Sequence, residues 1–271
     1  MSAFRRFLVL ALSLAALAGL AGSPAVAASL DAPLAAGMRD LGGGIYADPA
    51  MPEDEAASLA RLVERARNRV ALYYGDALAR PRIVFCASDD CYCDFGAVGL
   101  GFSDGANVVI SPRGRRVAIV AHELAHVELS FRVGGLAEVL ARVPQWFDEG
   151  QAVMVSMAEE FSDGAWQEAA DGQRVPSLDE LAALEDWLRL TGAAGENMQM
   201  TYGTARREVS RWFTRAGPEG LVELLGALRR QESFGRAYAR AEAAPDSPDA
   251  GATPVADTRQ PGNPPSGRAA W

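Results

Sequence analysis

The chain has no lysine, only two histidines and only three cysteines among its 271 residues. All 26 basic side chains are therefore arginines, and 35 acids outnumber them for a formal charge of -9. That balance argues against a nucleic-acid partner, because phosphate recognition rests on clustered positive charge. The missing lysine reads as a compositional bias rather than as chemistry. Long apolar runs are also scarce: outside residues 7–20, no stretch approaches the ~20 residues that cross a bilayer. The run over 7–20 follows Arg5-Arg6 and precedes the small-residue pattern Ala25-Val26-Ala27. A secretory signal is therefore expected over 1–27, with export to the periplasm or beyond and no stable membrane insertion after cleavage.

The three cysteines lie together in Cys86-Ala87-Ser88-Asp89-Asp90-Cys91-Tyr92-Cys93. An exported chain meets an oxidising compartment, so one small-loop disulfide is expected, with Cys86 to Cys91 the first choice and Cys93 left over. A second metal site is the alternative, but three thiols without a nearby histidine match structural zinc spacing poorly.

The two histidines are not scattered. They fall in His122-Glu123-Leu124-Ala125-His126, an HExxH motif. Side chains at i and i+4 stand above one another on a helix, so both imidazoles can grip one ion. Glu123, rotated about 100° around that helix, can border an open coordination position without being a ligand, which is where a general base is needed. The motif points to zinc, one ion per chain. A catalytic zinc takes three protein ligands, and no histidine remains for the third, which must then be a carboxylate or a thiolate. Asp148 and Glu149 both stand in Trp146-Phe147-Asp148-Glu149-Gly150-Gln151-Ala152, on a second helix that could pack antiparallel to the first.

Coarse periodicity yields a mainly helical α+β chain with a small sheet before the HExxH helix. A long amphipathic helix starts after Pro52 and ends at Gly75. Short strands are expected over 82–85 and 108–111, separated by the cysteine loop and a Gly-rich turn over 99–105. Helices follow over about 115–131, 146–159 and 178–190, the last opened by a Ser177/Glu180 capping box. Another runs from about Thr201 until Gly217-Pro218 stops it, and a final pair covers about 219–229 and 234–241. One domain is expected over 28–243, with a disordered Pro/Gly/Ala-rich tail over 244–271. No internal repeat is visible.

HExxH followed by the W-x-x-E-G-x-A segment at 146–152 resembles the gluzincin metallopeptidases, in particular the peptidase MA-like group. The resemblance implies a zincin-like fold and singles out Glu149 as the third ligand. Tyr202-Gly203-Thr204-Ala205, at the start of an amphipathic helix, resembles that group's segment with a tyrosine near the metal, so Tyr202 becomes a candidate donor to a developing oxyanion. The strand over Val108, Val109 and Ile110 resembles the edge strand on which such enzymes lay an extended substrate. The sequence departs from several gluzincins at Val153, where an acid would orient a zinc histidine. Asp148 or Glu128 is then the candidate for that hydrogen bond. The implied activity is hydrolysis of peptide or protein substrates with Glu123 as general base. Two competing possibilities are a non-catalytic zinc-bearing protein of the same fold in the cell envelope and a zinc hydrolase acting on a bond other than a peptide.

Overall fold

The computed structural model describes residues 30–192 and 195–243. The expected signal over 1–27 and the expected tail over 244–271 lie outside the described residues. In chain order the elements are β1 (Arg39–Gly42), β2 (Ile45–Ala47), α1 (Glu53–Tyr74), β3 (Ile83–Phe85), α2 (Asp89–Asp94), β4 (Gly101–Ser103) and β5 (Val108–Ile110). There follow α3 (Val117–Val133), α4 (Leu136–Arg142), α5 (Gln145–Ser156), α6 (Asp163–Ala170), α7 (Leu184–Thr191), α8 (Met198–Arg229) and α9 (Phe234–Ala243). The chain is α+β and mainly helical, as the periodicity implied.

The sheet runs β1-β2-β3-β5-β4 and is mixed: β2, β3 and β5 are parallel, while β1 and β4 pair antiparallel at the two ends. Successive strand residues face opposite sides, and here both sides are covered. Ile83, Phe85, Val108 and Ile110 join the large core under the helices. Val84, Val109 and Phe102 join a smaller cluster with Leu30, Tyr92 and Phe95. Burial on both faces explains why β3 and β5 read as unbroken apolar runs rather than alternating ones.

The same topology corrects one expectation. Val108, Val109 and Ile110 do not form an edge: β5 is paired with β3 on one side and β4 on the other, and all three residues are wholly buried. The edge strand beside β5 is β4, within what looked like a Gly-rich turn. Three residues that include a glycine carry no periodic signal, so only pairing with β5 defines this strand.

The helices follow local chemistry. Glu53, Asp54 and Glu55 occupy the first turn of α1, favourable at the positive end of the helix dipole, and Gly75 ends it in the left-handed region at φ 84°. In α3, residues from Ile119 to Ser130 are buried on every side, the polar His122, Glu123, His126 and Glu128 included. In α8 the backbone departs from helical geometry at Gly217 (φ 64°, ψ -175°) and resumes at Pro218, which accommodates the expected stop as a kink.

The helix expected over 178–190 begins only at Leu184. The Ser177/Glu180 hydrogen bonds do form, but they close a turn. The carbonyls of Leu181 and Ala182 face the start of α5, accepting from Trp146 and Gln145 N–H at 3.1 and 2.9 Å. They satisfy donors that α5 leaves unpaired. The cysteine loop contains α2, and Cys86–Cys91 is a disulfide with Cys93 free and exposed.

Candidate metal centre

His122 and His126 project from one face of α3, ring centroids 4.8 Å apart and planes at 78°. Their Nε2 atoms approach to 3.1 Å. Helix α5 packs against α3 and delivers Glu149, whose Oε2 lies 3.4 Å from His122 Nε2 and 3.7 Å from His126 Nε2. Three atoms so spaced are each about 2.0 Å from one common point, within the ~2.0–2.2 Å over which imidazole nitrogen and carboxylate oxygen bind a small divalent ion. Glu149 Oε2 is buried and has no hydrogen-bond donor, which a buried carboxylate oxygen tolerates only if something else satisfies it. Three residues with these donor atoms can hold a metal ion.

Asp148, next to Glu149, turns the other way. Its Oδ1 is 2.6 Å from His126 Nδ1. A carboxylate only accepts, so Nδ1 carries the hydrogen, and Nε2 is the nitrogen that faces the common point. Burial alone would depress the His126 pKa; the charge and hydrogen bond of Asp148, then the charges of Glu149 and Glu123, outweigh it and push the value up to about 10. The surroundings thus favour positive charge at this place. Between the two acids weighed from sequence, geometry chooses Asp148. Glu128 instead accepts from the backbone N–H groups of Leu78 and Ala79 and from Arg132, tying the segment after α1 to α3.

Comparison of the chain with protein-family models, curated proteins and solved structures finds no match in any of the three. The centre therefore rests on its own geometry.

Glu123 is wholly buried, His122 is 1% and Glu149 3% exposed. The Glu123 carboxylate lies against β4: a Cβ on Gly101 would come within 2.6 Å of its Cγ and 2.8 Å of its Oε1. A side chain at position 101 would force the carboxylate to shift. The Glu123 charge also reaches Tyr92 of α2, whose phenol pKa is raised first by burial and then by that charge.

Tyr202, in the first turns of α8, has its ring centroid 6.4 Å from that of His122. It is stacked on Phe161 at 5.1 Å and edge-on to Trp187 at 4.9 Å. Burial, then the Glu149 and Glu123 charges, hold its pKa well above the usual value. The phenol stays protonated and can donate.

His122, Glu123, His126, Glu149 and Tyr202 are therefore brought together, whereas Val108, Val109 and Ile110 lie inside the sheet. Two residues went unnoticed in the sequence. Gln145 donates from Nε2 to Glu149 Oε1 at 3.2 Å, and its place one turn before Glu149 on the same helix face was a readable signal. Gly101 had none, because its role depends on a strand that pairing alone creates. Gln151 completes the support: it accepts from the Tyr74 hydroxyl of α1 at 2.7 Å and donates to the Asp148 carbonyl at 2.9 Å.

Proposed function

We propose that this chain is a zinc-dependent peptidase of the gluzincin kind with a zincin-like fold. The observation that carries the proposal is the convergence of His122 Nε2, His126 Nε2 and Glu149 Oε2 on one point, with Glu123 one residue along the helix from His122. Zinc fits the donor set, two neutral imidazoles and one carboxylate that leave a fourth position open. When bound, zinc supplies Lewis acidity, polarising a carbonyl and making water more acidic.

The protein's own groups do the rest. Glu123 takes a proton from the attacking water and passes it to the leaving amine. Tyr202 donates to the oxygen on which charge develops. Asp148 fixes the His126 tautomer. An extended peptide lies along β4, the edge strand beside β5, whose backbone also seats Glu123. Export agrees with the Cys86–Cys91 disulfide, since such bonds persist in oxidising compartments. Among the described residues no helix is long and apolar enough to cross a membrane.

The near-complete burial of the centre favours one other role, a zinc-bearing binding protein without turnover. Digestion of a peptide library with and without a chelator separates the two, with Glu123→Gln as the decisive variant. A peptidase loses cleavage in both cases while Glu123→Gln keeps its metal; a binding protein cleaves nothing in either form. Undiminished cleavage by Glu123→Gln would remove that residue from the role of base.

A further inference from the structure

We propose that Gln145 is a positioning residue that commits one oxygen of Glu149 to a hydrogen bond and so restricts this ligand to a single oxygen toward the metal. The inference rests on the metal-centre reading above and adds to it what sets the coordination number.

The two oxygens of Glu149 are treated differently. Oε1 accepts from Gln145 Nε2 at 3.2 Å, whereas Oε2 has no donor and faces both imidazole nitrogens. A carboxylate that can turn freely is able to bind an ion through both oxygens, which uses up the position that a reacting water or carbonyl must occupy. A donor on Oε1 opposes that rotation. Gln145 is itself held: it is buried, it lies one helical turn before Glu149, and its own backbone N–H donates to the Ala182 carbonyl at 2.9 Å. The 181–182 turn thus fixes the start of α5, the start of α5 fixes Gln145, and Gln145 fixes the ligand. An uncharged amide does this without adding charge to a site already crowded with carboxylates. Its orientation is unambiguous, because only the NH2 side can face a carboxylate.

The test uses the full chain and two metals as probes. Zn2+ affinity is measured by competition with a chromophoric chelator, and the visible absorption of the Co2+-loaded protein reports coordination number. Gln145→Leu removes the donor; Gln145→Met does so with little change in length and guards against a folding failure. Each is expected to weaken Zn2+ binding about ten-fold or more, the usual effect of losing a partner behind a ligand. Each should also lower the Co2+ absorption intensity as a second Glu149 oxygen enters the coordination sphere. Unchanged affinity and an unchanged Co2+ spectrum in a folded variant would overturn the role of Gln145. Failure of the unsubstituted chain to bind either ion would overturn the metal-centre reading and this inference with it.

Discussion

His126 stands between two carboxylates with opposite duties: Glu149 meets its Nε2 side, and Asp148 holds its Nδ1 at 2.6 Å. Asp148→Ala should therefore weaken Zn2+ binding about 10- to 100-fold without touching a ligand, as read by chelator competition. Asp148→Asn should recover part of the loss when its amide oxygen accepts from Nδ1–H. Equal affinity in Asp148→Ala and the parent would show that the tautomer is fixed by something else. At this scale the sequence was most legible. Two histidines four apart with a glutamate between them leave few alternatives, because helix geometry alone puts both rings on one face. The choice of Glu149 over Asp148 needed the resemblance, since adjacent acids on a helix point about 100° apart and spacing does not say which one faces the metal. Whether Asp148 or Glu128 backs a histidine could not be read either. Glu128 is spent on the Leu78 and Ala79 N–H groups, a contact that links residues about fifty positions apart.

Among the elements, the contact between α5 and α8 brings Tyr202 to the metal side and is made possible by Gly150. A Cβ there would sit 2.7 Å from both the Ala205 carbonyl oxygen and Val209 Cγ2. Gly150→Ala should destabilise the fold by ~1–3 kcal/mol, the range for overpacking a dense core, seen as a lower denaturation midpoint; an unaltered midpoint would mean that the helices separate freely here. Long helices such as α1, α3 and α8 were legible because their apolar spacing persists over several turns. β1, β2 and β4 were not: strands of three or four residues with glycines beside them acquire identity only from their partners. The late start of α7 has a similar cause, since Leu181 and Ala182 turn their carbonyls toward another helix.

Across the whole molecule, a five-stranded sheet carries the helical layer on one face and the Leu30–Tyr92–Phe95 cluster on the other. The proposed zinc site bridges α3 and α5 inside the helical layer, so bound metal adds a second link between two helices already joined by packing and the His126–Asp148 hydrogen bond. A ligand that binds only the folded state stabilises it in proportion to RT ln(1 + [L]/Kd), which makes the melting temperature depend on metal concentration. Sheet order was beyond the sequence, because the crossings that put β5 between β3 and β4 leave no local trace. That is why Val108, Val109 and Ile110 were assigned an edge that belongs to β4. The most direct test of the central claim is the metal content of the purified full chain, measured by mass spectrometry beside its Glu149→Ala variant. One equivalent of zinc per chain, strongly reduced in the variant, is the predicted result. No bound metal in the parent chain, or the same content in both proteins, would contradict it.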